Sequence, residues 1–315
     1  MTKGMVCAPQ PEAVEAGALA LKRGGNAVDA AMTCALVQTV VDPMMCGIAG
    51  FGTMQLYLPN KGHHGFIDFH TTAPGAATET MWEDQIKAQA RDGFGFILHN
   101  RANECGYESI MTPGSLKAYY EAVQEYGTFD WKDVIQPAIE HAEDGFVIRP
   151  HVDEFWSASN IMGRMSVGDK LREIPATKEI YCDGQGETYP VGSRVKNPGM
   201  KQTLERIRDG GAEIFYSGEI AEEIAADVAA HTESISSLHA RLGAGSGPKG
   251  LHSNRRRLAS CLARAGLASI GATTSADCFD WQRTYGFRGF VEAGYQWCAR
   301  AKFDYWYARR VCWSG

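Results

Sequence analysis

No segment of this chain constrains its fold more than 27–41, AVDAAMTCALVQTVV. It is apolar on nearly every side, so as a helix it has no face to offer water and belongs inside a core. Asn26, with Asp29 three residues on, is placed to cap its start, and Asp42-Pro43 stops it. It is also too short to span a bilayer. A helix of this kind needs partners, and the first lies just upstream. Residues 11–24 open on Pro11, carry Glu12 and Glu15 in the first turn and Lys22 and Arg23 in the last, and stop at Gly24-Gly25. An amphipathic helix is expected there, with Val14, Ala18 and Leu21 on one face.

The pattern then changes period. A glycine run, Cys46-Gly47-Ile48-Ala49-Gly50-Phe51-Gly52, leads into a strand-like segment, Thr53 to Leu58, and Pro59-Asn60-Lys61-Gly62 turns the chain into a second strand, Phe66 to Phe69, that runs into His70. Helices are expected over 114–126, 131–144, 200–208 and 218–230, with Gly127 and Gly145 as stops and Asn197-Pro198 opening the third. Beyond His231 neither a helical nor a strand period persists. The fold class is α/β, helix-dominated, with a hairpin or small sheet around 53–70.

Charge divides the chain in the same place. The formal net charge of −6 resolves into −13 over residues 1–232 and +7 over residues 233–315, and the second stretch carries four of the nine Cys and four of the seven Trp. Two regions follow, 1–231 and an anomalous Arg/Cys/Trp-rich tail, 232–315. The abrupt change at 231 reads as translation out of frame. The cysteines include no Cys-x-x-Cys pair, so neither a zinc site nor a disulfide framework is indicated. No run of 18 apolar residues and no signal-like start occurs, which sets cytoplasm as the expected location.

In order and spacing, the blocks Gly4-Met5-Val6, Glu15-Ala16-Gly17, Gly24-Gly25-Asn26-Ala27-Val28-Asp29-Ala30-Ala31 and Gly47-Ile48-Ala49-Gly50-Phe51-Gly52 resemble the opening of the gamma-glutamyltransferase family. Ile67-Asp68-Phe69-His70-Thr71-Thr72-Ala73-Pro74 is similar to the family's next motif. Thr112-Pro113-Gly114, Gln136-Pro137-Ala138, Asn197-Pro198, Gly210-Gly211-Ala212 and Phe215-Tyr216-Ser217-Gly218 follow in register. The likeness covers residues 4–231, the large-subunit region. It implies an N-terminal-nucleophile hydrolase of αββα architecture, here its helix-rich N-terminal half only. A proenzyme of that family cuts itself before a Thr, and the freed amine serves as base for the Thr hydroxyl in acyl transfer.

The resemblance puts that nucleophile well over a hundred residues beyond the Phe-Tyr-x-Gly motif, in a Thr-Thr-His-like sequence. Thr273-Thr274-Ser275 is a partial echo, but it comes too early and lacks the His, so Thr274 reads as a loop threonine and no catalytic residue is assigned. The resemblance implies a small-molecule amide or gamma-glutamyl substrate and a small-subunit half, which is expected to be absent from this chain. A catalytically inactive, truncated or frameshifted product is the alternative to an acting enzyme.

His70 is the candidate substrate-binding residue. In gamma-glutamyl members the resemblance puts an Arg there, whose fork holds a carboxylate through two parallel bonds. A neutral imidazole has one donor and cannot fork, which points to a different amide or acyl group, as in relatives such as oxamate amidohydrolases and cephalosporin acylases. The plainer reading of His70 is a strand-end side chain with a backbone partner. The glycine run lacks the Gly-Lys-Ser/Thr ending of a phosphate loop and follows a helix, so close backbone packing under the hairpin is the expectation. His63-His64 is read as a turn facing water, with no metal. Arg255-Arg256-Arg257 with Trp297, Tyr305 and Trp306 is framed by no nucleic-acid-binding module. No cofactor, nucleic acid or membrane partner is expected.

Overall fold

The structure, a computed structural model, describes residues 4–231 except 75, 76, 92, 94 and 160–162. These residues belong to the first of two units into which the chain divides, Met1–His252. The expected tail, with Thr274, Arg255–Arg257, Trp297, Tyr305 and Trp306, lies outside the described residues.

Two helices start the fold, α1 (Pro11–Lys22) and α2 (Ala27–Val41). The cap of α2 forms as its residues dictate: Asn26 Oδ1 accepts from the Val28 and Asp29 amides, and Asp29 Oδ2 accepts from the Asn26 amide at 2.7 Å. The hairpin follows as β1 (Thr53–Leu58) and β2 (His63–Asp68), antiparallel, with Leu56 facing Gly65 and Met54 facing Ile67 across the ladder. A second hairpin, β3 (Ile86–Gln89) and β4 (Phe96–Leu98), precedes α3 (Ser115–Tyr126) and α4 (Trp131–Asp144). The short strand β5 (Phe146–Val147) is followed by three short helices, α5 (Pro150–Ser157), α6 (Val167–Glu173) and α7 (Pro175–Tyr181). The short strand β6 (Arg194–Val195) then pairs back with β5, and α8 (Pro198–Gly210), α9 (Glu213–Tyr216) and α10 (Glu219–His231) complete the described chain.

The core forms around α2, which packs against α1, α3 and α4 and buries Met32, Leu36, Val37, Val40 and Val41. Its apolar sequence is therefore used on every side but one, the stripe of Ala27 and Ala31, exposed, and Ala35, half-buried. α4 extends the core to α8, where Val134, Ile135 and Ala138 join Leu204 and Ile207, and the Trp131 indole donates to the Ile207 carbonyl at 3.1 Å. Asp29 is fully buried and serves more than its own helix. Its carboxylate also accepts from the Thr128 amide, the Thr128 hydroxyl and the Phe129 amide, tying the turn after α3 to the start of α2.

One expectation is corrected. The buried face of α1 is not Val14, Ala18 and Leu21 but Ala13, Ala16, Gly17 and Ala20, with Ala18 and Leu19 turned outward. The reason is distance of approach. A Cβ on Gly17 would lie 2.8 Å from the Ala30 carbonyl oxygen and 3.0 Å from Cys34 Cβ, so the two helices meet along small residues, too close for larger side chains between them. The first strand, α2 and the longer later helices fall where the sequence places them; β2 starts earlier, at His63, and takes His63 and His64 out of the turn and into the ladder.

Candidate functional site

The end of β2 is held from both sides. Phe69 is buried, edge-on to Tyr119 at 5.8 Å, and its amide donates to the Gly52 carbonyl at 3.1 Å. Both neighbouring glycines are tightly packed: a Cβ on Gly52 would sit 3.0 Å from the Phe69 ring and oblige it to give, and one on Gly114 would lie only 2.2 Å from the Phe69 carbonyl oxygen, with no room for it. Gly114 and Ser115 donate their amides to the Gly50 carbonyl at 2.9 and 3.1 Å, and Leu116 donates to the Ile48 carbonyl at 3.1 Å. The orphan amides at the start of α3 are thus taken by carbonyls of the glycine run. This is the close packing expected of that run, in which it supplies acceptors rather than the outward N–H groups of a phosphate cradle.

His70 leaves this clamp with 59% of its side chain exposed. Its Nδ1 lies 3.1 Å from Asp68 Oδ1, and the same oxygen accepts the His70 backbone amide at 3.1 Å. The Phe51 ring, itself 62% exposed, stands 5.5 Å away at a tilt of 44°. Below them Thr71 Oγ1 reaches Met111 Sδ at 3.5 Å, and the Thr112 amide donates to the Thr72 carbonyl at 3.2 Å. The last turn of the glycine run, the end of β2 and the lead-in to α3 thus converge on one surface, with a ring nitrogen, two threonines and an aromatic face on it.

The three histidines do not converge. His63 lies half-buried against Tyr126 at 5.0 Å, and His64 meets the edge of Tyr57 at 5.4 Å on the other face of the hairpin. Among the described residues no group of three or more His, Cys, Asp or Glu is placed to hold a metal ion. Two features escaped the sequence reading. Asp68, two residues before His70, is its partner; alternate strand residues share a face, which is the signal that was available. Beneath the glycine run, buried Asp42 accepts from Gln10 Nε2 at 3.1 Å and Gln38 Nε2 at 2.9 Å, and His151 Nε2 lies 3.2 Å from Gln10 Oε1. Nothing local in the sequence marks residues so far apart as neighbours. Burial, then the nearby Asp42 and Cys34, push the Cys46 thiol up to about 12, which disfavours its thiolate.

The Phe-Tyr-x-Gly motif also has a local account. The Tyr216 hydroxyl accepts the Lys117 amide at 3.1 Å, tying α9 to the first turn of α3, and burial pushes its phenol up to about 12. Gly218 lies so close to α9 that a Cβ there would come within 2.8 Å of Ile214 Cα.

The family model described as gamma-glutamyltranspeptidase matches residues 13–239. The chain belongs to the gamma-glutamyltranspeptidase family. It is 35% identical over 233 residues to the acylase ACY 1 proenzyme of Pseudomonas sp. (strain SE83), covering 73% of this chain and 39% of that protein. To the glutathione hydrolase proenzyme of Bacillus subtilis (strain 168) it is 32% identical over 221 residues, 70% of this chain and 35% of that one. Its fold is similar to the crystal structure of Helicobacter pylori gamma-glutamyltranspeptidase, with a TM-score of 0.62 at 28% identity, covering 72% of this chain and 60% of the other. The chain therefore spans 35–39% of the length of these two curated relatives. The fold is that of the helix-rich N-terminal portion of a gamma-glutamyltranspeptidase-type N-terminal-nucleophile hydrolase. Among the described residues no helix is long and apolar enough to cross a membrane.

Proposed function

We propose that this chain serves amide hydrolysis or acyl transfer of the gamma-glutamyltranspeptidase type, with residues 1–231 as the large-subunit-like region that binds the acyl donor at His70 and residues 232–315 as a separate tail. The observation that carries this reading is the convergence at His70: a side chain more than half exposed rises from a backbone clamped between Gly52, where a Cβ would crowd the Phe69 ring, and Gly114, where one would clash with the Phe69 carbonyl. Rigid backbone beneath an open polar group is what a substrate contact requires. The substrate in this reading is a small molecule with an amide or gamma-glutamyl bond. In the absence of an arginine fork, its acyl part is held by single hydrogen bonds rather than a bidentate carboxylate pair.

The chemistry calls for a threonine whose amine is freed by chain cleavage, and we assign that residue to no position between 1 and 315. A second, small-subunit-like portion is the partner this reading requires. The outer face of the first hairpin, where Tyr57 pairs with His64, Gln55 with Phe66 and Thr53 with Asp68, supports it by presenting strand surface that the core described above leaves uncovered.

The test is a denaturing gel of the purified full chain with an anilide amidase assay alongside. A single band at the full-chain mass of 34.4 kDa without turnover, and turnover on mixing with a separately produced small-subunit portion of a relative, is the expected result. Two fragments with a new N-terminal threonine and turnover by the chain alone would place the nucleophile inside it. No turnover under either condition favours the inactive reading.

A further inference from the structure

The Asp68–His70 pair says more than where a substrate binds. A carboxylate has no proton to give at a hydrogen bond, so the nitrogen that faces it must be the protonated one. Asp68 Oδ1 lies 3.1 Å from His70 Nδ1 and also accepts the His70 backbone amide at 3.1 Å, which ties the backbone and the near side of the ring to one oxygen. The Phe51 ring at 5.5 Å bounds the imidazole on a third side. Neutral His70 is then held with its proton on Nδ1, and Nε2 stands bare on the ring's far edge as an acceptor.

We infer that Asp68 is a positioning residue that locks His70 in the Nδ1–H tautomer, so that the site takes an acyl donor offering an N–H or O–H group to Nε2 rather than one offering a carboxylate. This rests on the reading of His70 as a substrate contact. It makes a neutral carboxamide or hydroxyl, beside an apolar stretch that lies along Phe51, the recognised feature of the acyl part. A carboxylate in that place meets a lone pair on Nε2 and, behind the ring, the charge of Asp68. The effect of Asp68 is carried through His70 and involves no contact of its own with substrate.

Two measurements on the full chain, labelled with ¹⁵N-histidine at neutral pH, test this. In two-bond proton–nitrogen correlation spectra, the His70 signals, identified by their loss in His70→Ala, are expected to show a protonated Nδ1 and a bare Nε2. Asp68→Ala is expected to move the proton to Nε2, and Asp68→Asn, which keeps an acceptor oxygen without the charge, to restore the wild-type pattern. An unchanged tautomer in Asp68→Ala overturns the inference.

Titration with glutaramide and with glutarate, its dicarboxylate counterpart with no N–H to offer at neutral pH, reads the recognition. Glutaramide is expected to shift the His70 signals at about fivefold lower concentration, the worth of one net hydrogen bond. Asp68→Asn should keep that preference and Asp68→Ala should lose or reverse it. If Asp68→Asn behaves as Asp68→Ala, charge rather than tautomer sets the preference and the positioning role is wrong; tighter binding of glutarate by the wild type overturns the substrate class. Failure of the underlying reading has a different signature: saturable ligand shifts elsewhere in the chain that survive His70→Ala unweakened, or no saturable shift with either compound, remove His70 from the binding surface while leaving the tautomer result standing.

Discussion

Two buried carboxylates in this fold respond to acid in opposite senses. Burial alone raises the Asp29 carboxyl, but the Thr128 hydroxyl and the amides of Asn26, Thr128 and Phe129 outweigh it and hold it below the usual carboxylate range. Asp42 has fewer donors, and burial wins over Gln10, His151 and Gln38, so its carboxyl is pushed up. A group whose folded pKa is depressed contributes stability that is present above the unfolded value and lost as pH falls through the folded one; a raised carboxyl contributes the reverse, stability present below the unfolded value and lost as pH rises through the folded one. Asp29→Asn is therefore expected to cost about 2 kcal/mol at neutral pH and to flatten the loss of stability below about pH 4. Asp42→Asn is expected to remove a loss that develops as pH rises above that point. Urea midpoints measured between acid and neutral pH decide both, and parallel pH profiles for the two variants would contradict the assignment. Asp29 was legible as a cap from its spacing to Asn26, whereas its hold on Thr128 and Phe129 was not, because those partners lie about a hundred residues away.

At the scale of elements, the approach of α1 to α2 shows how a helix face is chosen. The larger apolar residues of α1 suggested a face through Val14, Ala18 and Leu21, yet the chain buries Ala13, Ala16, Gly17 and Ala20. Close contact between two helices brings many atoms within dispersion range, and here the small residues allow it while α2 supplies the bulk. Gly17→Leu has nowhere to go, with the Ala30 carbonyl 2.8 Å and Cys34 Cβ 3.0 Å from the position of its Cβ. We expect it to destabilise the protein by about 3 kcal/mol or more, as overpacking in a tight core does, whereas Leu19→Gln on the outward face should change stability by less than about 0.5 kcal/mol. Thermal or denaturant unfolding of both variants checks the face; equal losses would mean that α1 packs on its other side.

Across the described molecule, α2 and α4 bind distant parts into one core: α2 takes in α1, α3 and β5, and α4 reaches α8 through Trp131 and Ile207. Native-state hydrogen exchange is expected to show the slowest amides of α2, α4 and α8 opening together with one denaturant dependence. Separate opening of α8 would mean that the Trp131 link is peripheral. The sequence by itself determined the longer helices and the first strand, because caps, stops and periods are local and each is written within a few residues. It also determined the family, because its motifs recur in order and spacing. Only the tertiary structure decided which face of α1 is buried, that Asp42 collects Gln10 and Gln38, and that Asp68 backs His70 on an open surface while His63 and His64 turn elsewhere. Those facts depend on how near two backbones can come and on which partners a side chain finds across the fold, and no short window of residues carries either.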